Sequence, residues 1–323
     1  MPLRVTITGA TGLIGRGLVS ALRALDAEVT VLSRDPDRAL ESFHCSGATP
    51  VQAAKWDLMS EPAPVAALQG RDAVVHLAGE NVAQRWSAQA KETIRESRVR
   101  GTRHLLDGLT DAEPRPRTLI ASSAIGYYGA RGEEPLDEDA PAGSGFLAET
   151  CVAWEAEEMK ASALGIRVVR VRTGVVLDRE GGALAKMLLP FKLGVGGPVA
   201  GGSQYMSWIH REDLIGMISA ALQDERWSGP VNATAPEPVT NRDFSHALGH
   251  ALHRPSLLPV PGITLGLLYG EMAEMLTTGA RVMPAKALVL GYRFRHARLE
   301  EALGSALRPA RQQEDARGGS HSR

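Results

Sequence analysis

The chain has 323 residues and a formal net charge of -1, with 44% hydrophobic and 23% charged residues. This length is enough for one large α/β domain and a smaller one. The nearly neutral charge argues against nucleic-acid and membrane partners. No apolar run approaches the roughly 18 residues that span a bilayer, and the N-terminus shows no leader, so we expect a cytoplasmic protein. There we expect Cys45 and Cys151 to stay reduced.

Short apolar runs alternate with helical stretches through about the first 180 residues. This alternation predicts a parallel sheet covered by helices on both faces, a Rossmann-type doubly wound α/β fold. Such a sheet binds ligands at the C-terminal ends of its strands. The predicted strands are 3–8, 28–32, 51–56, 73–77, 118–122 and 167–171, and the predicted helices are 15–25, 88–109 and 148–164.

The second half of the chain has a different texture, with frequent glycine and proline after residue 173. It predicts a strand end and a helix over 208–222, a short strand at 231–233 and a helix that runs to residue 276. We expect residues 1–250 to form the main domain and 251–304 a small C-terminal lobe on the substrate side. Residues 305–323 are polar and are expected to be a disordered tail.

The sharpest motif is a glycine-rich loop between the first predicted strand and the first predicted helix. Gly9 allows a tight turn, Gly12 lets the backbone approach a pyrophosphate, and Gly15 lets helix and strand pack closely. The helix N-terminus then presents N–H groups to the anion. The loop therefore predicts a dinucleotide site whose contacts here are Gly9, Thr11, Gly12, Leu13, Ile14 and Gly15.

The end of the second strand selects the dinucleotide. An NAD site usually places Asp or Glu there, whereas this chain has Ser33 and Arg34. A hydroxyl and a guanidinium suit a 2′-phosphate, so we predict NADP(H) as the cofactor. In the alternative reading, Arg34 is a solvated loop residue and Asp35 turns inward instead.

Further motifs stand at the ends of the next three strands. Asp57 follows the third strand, Leu77-Ala78-Gly79 ends the fourth, and Ser122-Ser123 ends the fifth, before Tyr127-Tyr128-Gly129. In this order they resemble the extended short-chain dehydrogenase/reductases. The resemblance implies that Asp57 meets the adenine and that the segment from Leu77 through Ala78 to Gly79 lines the cofactor ribose.

The match is closer to an atypical branch of that family, whose members are labelled epimerase family protein. It covers about residues 1–304, and residues 254–303 resemble the small domain of unknown function that closes those proteins. The resemblance brings no known reaction, because the branch is largely uncharacterised. The motifs that carry it are Ala78-Gly79-Glu80-Asn81, Arg85-Trp86, Ser97-Arg98, Trp154-Glu155, Leu188-Leu189-Pro190-Phe191, Val231 to Pro236, Gly279 to Pro284 and Gly291-Tyr292.

The usual catalytic pair of the short-chain dehydrogenases is absent. That pair is Tyr-x-x-x-Lys, in which the Tyr transfers a proton and the Lys lowers its pKa and holds the nicotinamide ribose. If Glu155 aligns with the acid that follows the Lys, Leu147 replaces the Tyr and Cys151 replaces the Lys. Since Leu donates no proton and a neutral thiol supplies no fixed charge, we expect no proton transfer by the standard route.

Several side chains remain as candidates near the fifth strand. Ser123 is a substrate or nicotinamide contact, with Ser122 as the alternative because the run to Tyr128 is one residue longer than usual. Arg98 stands where the family places an Asn, and its cation partly substitutes for the missing Lys at the cofactor ribose or phosphate.

Cys151 and the two tyrosines after the fifth strand each have a functional and a structural interpretation. Cys151 is a reactive thiol or a small buried side chain. Tyr127 and Tyr128 wall a pocket, or one of them replaces the missing acid. The predicted catalytic residues are thus Ser123, Cys151 and Tyr128, and Arg98 and Ser122 join the cofactor contacts.

Two functions fit this pattern. In the first, the chain is an NADP(H)-dependent oxidoreductase or epimerase-like enzyme that acts on a small unidentified molecule. In the second, it is a sensor or regulatory protein that binds NADP(H) without catalysis. We expect no metal, because His246 and His250 have no third ligand in the pattern. Related folds often dimerise through helices such as 88–109 and 148–164, so the sequence leaves a homodimer open.

Overall fold

A seven-stranded parallel sheet runs through the part of the chain that the computed structural model describes, which is residues 1–43, 49–256 and 258–308. The main sheet uses seven of the strands in this part of the chain, and the other six form three two-stranded sheets. In chain order the strands are β1 (Arg4–Thr8), β2 (Glu28–Ser33), β3 (Val51–Lys55), β4 (Ala73–His76), β5 (Thr118–Ala124), β6 (Gly132–Leu136), β7 (Arg167–Thr173), β8 (Val175–Leu177), β9 (Tyr205–Met206), β10 (Trp208–His210), β11 (Gly229–Ala233), β12 (Val239–Thr240) and β13 (Ala280–Val282). The sheet order is β11-β7-β5-β4-β1-β2-β3. Because this order reverses between β1 and β4, a ligand crevice opens at their C-terminal ends. The predicted Rossmann-type fold is confirmed.

Helices cover both faces of the sheet. They are α1 (Leu13–Arg23), α2 (Pro36–Glu41), α3 (Ala88–Asp111), α4 (Phe146–Met159), α5 (Gly182–Lys192), α6 (Arg211–Gln223), α7 (Asn241–Ala251), α8 (Gly262–Tyr269), α9 (Glu274–Thr277), α10 (Ala285–Val289) and α11 (Leu299–Ala306). α1 and α6 pack side by side on one face, and α3 and α4 pack on the other. Within the described ranges, no helix is long and apolar enough to cross a bilayer.

The C-terminal part of the chain is tied to the main domain. β13 pairs in parallel with β6, and α11 packs against α7 in an apolar core that also holds Trp208. Ser305 and Ala306 lie in α11, so the described structure continues past the start of the tail expected at residue 305. Residues 309–323 and Cys45 lie outside the described residues.

Several features differ from the sequence-based prediction, which does not contain α2, α5, β8, β9 or β12. The helix expected to run to residue 276 is interrupted, because Gly270 has a φ of 61° that a helix does not accept. α8 therefore ends at Tyr269, and α9 begins at Glu274. The short strands β6 and β13 were not predicted, since each is completed only by a partner far along the chain.

A buried chain of hydrogen bonds links the sheet to the helices beside the crevice. Thr8 Oγ1 lies 2.7 Å from His76 Nδ1, and His76 Nε2 lies 3.3 Å from Thr102 Oγ1 on α3. Trp154 on α4 donates its indole N–H to the same Thr102 oxygen at 3.0 Å. Burial lowers the pKa of His76 to about 4, so its imidazole is neutral at pH 7.

The neutral state of His76 makes stability depend on pH. The imidazole titrates near its usual pKa of about 6.5 in the unfolded chain and near 4 in the folded one, so the unfolded chain binds the extra proton between these values. We expect this group to remove about 3 kcal/mol of unfolding free energy as the pH falls from 7 to 4. Urea unfolding followed by circular dichroism measures the loss. A His76→Asn chain should lose correspondingly less over the same range, and an identical pH dependence in both chains would refute this role.

Candidate functional site

The glycine-rich loop fits tightly against the end of β4. Gly9 has a φ of 68°, and a Cβ atom there would lie 2.7 Å from the carbonyl carbon of Leu77. A Cβ at residue 15 would lie 2.4 Å from the Gly9 carbonyl oxygen. Both distances are too short for any side chain, so these two glycines are required by the backbone geometry that brings β1, α1 and β4 together.

The N-terminus of α1 faces the crevice without a side-chain cap. Gly12 is the residue before the helix, and no side chain bonds the N–H groups of the first turn there. Thr11 and Gly12 are exposed, and Leu13 and Ile14 are half-buried. Backbone N–H groups at an open helix N-terminus bind phosphate oxygens well, so this loop fits the pyrophosphate of a dinucleotide.

Arg34 and Asp35 are both exposed at the end of β2. Ser33 Oγ bonds within its own turn, since it donates to the Asp35 carbonyl at 3.0 Å. Asp35 Oδ1 accepts from Arg38 N–H at 3.1 Å and so caps α2. With its carboxylate engaged there, Asp35 does not take the place of the acid that reads a ribose hydroxyl. This geometry favours a 2′-phosphate beside Arg34.

Asp57 lies just after β3, in electrostatic reach of Arg34. Its Oδ1 accepts from Met59 N–H at 3.0 Å and its Oδ2 from the Ser60 hydroxyl at 3.0 Å. The hydrogen bond from Met59 N–H holds the pKa of Asp57 below its usual range. The carboxylate is therefore charged and fixed at the edge where the resemblance implies an adenine.

The segment after β4 lies between β1 and α3. Leu77 N–H and Ala78 N–H both donate to Thr8 Oγ1 at 3.2 Å, which fixes the two residues next to the glycine loop. A Cβ atom on Gly79 would lie 3.6 Å from the guanidinium carbon of Arg98. Gly79 therefore lies against that cation, at a distance at which a Cβ would make an ordinary van der Waals contact.

Arg98 is held at the crevice by three contacts. Its Nη1 donates to the carbonyls of Glu80 and Ile94, both at 3.0 Å, and its guanidinium carbon lies 5.0 Å from the Trp154 ring centroid. Burial lowers the pKa of Arg98 from its usual range, but the group remains a cation at neutral pH. The structure therefore provides a fixed positive charge near the end of β4.

Leu147 and Cys151, the positions at which the missing catalytic pair is expected, lie on α4 beside the end of β5. Cys151 Sγ lies 3.8 Å from the Ala124 carbonyl oxygen at the end of β5. A Cβ atom on Gly126 would lie 3.2 Å from Leu147 Cβ. Because Leu147 and Cys151 are four residues apart on α4, they share the helix face that meets the end of β5. This face presents a methyl group and a thiol.

The Cys151 thiol is buried, with 4% of its surface exposed. Burial and the nearby Glu155 raise the pKa of Cys151 to about 12, although the Arg98 cation acts in the opposite direction. A thiol is reactive as its thiolate, so this placement argues for a small buried side chain and against a nucleophile.

The Ser123 hydroxyl is engaged with α4. It is buried, and its hydroxyl donates to Glu155 Oε1 at 2.7 Å. The same carboxylate binds Arg172 through two hydrogen bonds of 2.8 and 2.9 Å and Arg170 through one of 2.9 Å. Ser122 is half-buried on the opposite face of the strand, so the structure favours Ser122 as the hydroxyl near a ligand.

Tyr128 is fully buried and its hydroxyl is engaged on every side. It donates to Asn232 Oδ1 at 2.7 Å or to the Asp137 carbonyl at 2.9 Å, and it accepts from Arg172 Nη1 at 2.9 Å. Burial raises its pKa to about 12. We therefore assign Tyr128 a structural role, since a catalytic acid must reach its substrate. Tyr127 is half-buried and its ring packs on the Arg172 guanidinium.

A histidine cluster that the sequence pattern did not indicate lies elsewhere. In the described ranges, His210, Glu212 and His296 bring one possible ligand atom each within 4.8 Å of one another. However, His210 Nδ1 accepts the Glu212 N–H at 3.2 Å, whereas a metal-bound imidazole normally donates its other nitrogen's proton. We assign no metal to this cluster. Its signal was invisible in the sequence, because His296 is distant from the other two residues.

Comparison with known proteins agrees with this geometry. The model of the NAD dependent epimerase/dehydratase family matches residues 5–233, and the model of a domain of unknown function, DUF1731, matches residues 260–306. The chain belongs to the NAD dependent epimerase/dehydratase family. The predicted resemblance is therefore confirmed at both ends of the described chain.

Relatives of this epimerase-family chain span nearly its whole length. Epimerase family protein MT2273 of Mycobacterium tuberculosis is 41% identical over 304 residues, which are 94% of this chain and 97% of the relative. The chloroplastic SDR39U1 homolog of Arabidopsis thaliana is 39% identical over 306 residues, 93% of this chain and 86% of the relative. The crystal structure of human SDR39U1 with NADPH is 34% identical, with a TM-score of 0.82 over 94% of this chain and 99% of that chain.

We expect Cys151 to be unreactive in the folded protein. In a Cys45→Ser chain, Cys151 is the remaining cysteine, because the sequence has two. At about pH 8, Ellman's reagent should modify the native chain at least about 100-fold more slowly than the urea-unfolded chain, since the thiol is buried and protonated. A native rate within about ten-fold of the unfolded rate would restore a reactive role for this thiol.

Proposed function

We propose that this protein is an NADPH-dependent oxidoreductase that reduces a carbonyl compound without the Tyr/Lys pair of its family. The observation that carries the proposal is the combination of an intact phosphate-binding loop with a fixed cation, Arg98, beside the ribose-lining segment. The NADPH in the human SDR39U1 structure supports the same cofactor.

The residues that would hold the cofactor lie along one edge of the sheet. The loop at Gly9 to Gly15 suits the pyrophosphate, Arg34 suits the 2′-phosphate, and Asp57 suits the adenine. Leu77 to Gly79 and Arg98 would contact the nicotinamide ribose. Arg98 supplies there a positive charge that Cys151 does not.

The chemistry requires one hydride and one proton. When bound, a reduced nicotinamide supplies the hydride that adds to the carbonyl carbon. The carbonyl oxygen then needs a proton from another source, because Leu147 has none to give and the Tyr128 hydroxyl is buried. Water is the donor that we assign, and the exposed carboxyl of Glu80, which follows Gly79 directly, is the alternative.

A second function has its own support. The side chains at the Tyr and Lys positions, Leu147 and Cys151, make the chain resemble a protein that keeps its nucleotide and has lost its chemistry. In that case NADPH would change the affinity for a partner, and the partner would change the affinity for NADPH by the same factor. Turnover separates the two functions, because a sensor oxidises no NADPH.

Nucleotide preference is the first test of the cofactor site. We expect NADPH to bind at least about ten-fold more tightly than NADH, a difference of about 1.4 kcal/mol, as measured by nicotinamide fluorescence. Arg34→Ala should lower the NADPH affinity by a similar factor and leave NADH within about two-fold, because only the 2′-phosphate contact is lost. Arg226→Ala is the matched control, since Arg226 follows the C-terminal end of α6 and pairs with Asp224. If the unaltered chain binds NADPH and NADH with equal affinity, Arg34 does not contact the 2′-phosphate.

Turnover is the second test. With carbonyl substrates, the NADPH absorbance should fall in step with formation of the alcohol, and deuterium at the transferred position of the cofactor should appear on the alcohol carbon. Glu80→Gln should lower kcat by about 100-fold if the carboxyl donates the proton, and should have little effect if water does. Tight NADPH binding with no oxidation across a broad carbonyl panel would favour the sensor.

A further inference from the structure

Large apolar side chains are exposed on two helices near the crevice. Leu189 on α5 and Leu193, the C-cap residue that follows it, are 66% and 68% exposed, and on α8, Ile263 and Leu267 are 81% and 75% exposed. Each pair is four residues apart and so shares one face of its helix. We call these two faces the apolar ridges. Contiguous apolar surface on a protein usually marks a binding site.

The segments that follow α5 and precede α8 lie side by side. Val260 N–H donates to the Pro198 carbonyl at 2.8 Å, and Ala200 N–H donates to the Val260 carbonyl at 3.0 Å. Val195 and Leu258, 54% and 57% exposed, lie on these two segments. The apolar ridges are therefore joined through one continuous stretch of structure.

Both apolar ridges border the loop at residues 80–86, which continues from the ribose-lining segment. Lys186, which shares the α5 face of Leu189 and Leu193, donates from Nζ to the Ala83 carbonyl at 2.7 Å. Arg85 Nη1 donates to the Leu267 carbonyl at 3.3 Å. The ridges are thus connected to the loop that leads from Gly79, so their position links them to the crevice.

The charge around the apolar ridges is one-sided. Residues 182–200 contain Lys186 and Lys192 but no acid, and residues 255–270 contain no charged residue at all. A surface of this kind suits a molecule whose long part is a hydrocarbon. It does not suit a second polar nucleotide or a sugar, which would need hydrogen-bonding side chains along its length.

We propose that the apolar ridges bind the hydrocarbon chain of an amphipathic carbonyl substrate, whose carbonyl end lies in the crevice beside Glu80 and Arg98. This inference rests on the proposed function and names its substrate class. The occupant is a single extended chain, because both ridges contact the loop at residues 80–86 and that loop continues from Gly79 at the crevice. The reaction is the one already stated, in which the carbonyl gains a hydride and a proton and becomes an alcohol.

Chain length provides the test. Straight-chain primary alcohols of about 4 to 12 carbons mimic the product and are titrated calorimetrically with NADPH present, where no turnover occurs. Affinity should rise about four-fold with each added methylene while the chain still covers new apolar surface. An affinity that does not change with chain length overturns the proposal.

A double variant separates the apolar ridges from the rest of the surface. Leu189→Ser with Ile263→Ser should flatten the dependence on chain length and leave the affinity for NADPH unchanged. Val289→Ser is the matched control, because Val289 is 86% exposed on α10 and belongs to neither ridge. If the double variant and the control bind the long alcohols equally, the ridges are not the site.

Two further measurements distinguish other occupants. If light scattering shows a dimer that the double variant converts to a monomer, the ridges are an interface between copies and the proposal fails. If the protein sediments with phosphatidylcholine vesicles and the double variant does not, the occupant is a bilayer and the proposal fails as well. NADPH fluorescence reads the cofactor site separately, so loss of nucleotide binding identifies a failure of the proposed function instead.

Discussion

The close approach of the glycine loop to the end of β4 is the contact on which the site depends. Gly9 lies where a side chain would collide with the Leu77 backbone. The Thr8 hydroxyl accepts hydrogen bonds from the backbone N–H groups of Leu77 and Ala78. The glycine loop and the segment after β4 are therefore one rigid unit. Through His76 the same hydroxyl is connected to α3 and α4, which carry Arg98 and Trp154. Any shift of β1 against β4 would disturb the phosphate loop and the cation together.

A buried network of charged and polar side chains lies below the end of β5 and stabilises the fold. Glu155 holds two arginines of β7 and the Ser123 hydroxyl, and Arg172 continues the network to Tyr128. Buried charges of this kind are stable only when every partner is present, because the loss of one leaves an uncompensated charge. The network therefore fixes the wall behind Leu147 and Cys151, and the chemistry that remains is confined to the open side of the crevice.

The sequence predicted the parts of the site that depend on local pattern. Glycine spacing predicted the tight loop between β1 and α1, and the order of the strand-end motifs predicted the family. It did not predict the directions of Ser123 and Tyr128, because these are set by Glu155 and Asn232, which lie 32 and 104 residues away. The buried role of His76 was missed for the same reason, since Thr8 is 68 residues distant. Side-chain direction follows from partners that no local pattern reveals.

The segment at residues 295–296 also affects how the chain is made. Asp213, at the start of α6, accepts the backbone N–H groups of Arg295 and His296, the second of them 83 residues later. The strand β6 likewise pairs with β13, which is made much later. A ribosome that has produced the whole nucleotide-binding sheet has therefore not yet produced the residues that satisfy a buried carboxylate within it. The main domain becomes complete only after residue 296 has been made, so the nascent chain must be protected until that segment emerges.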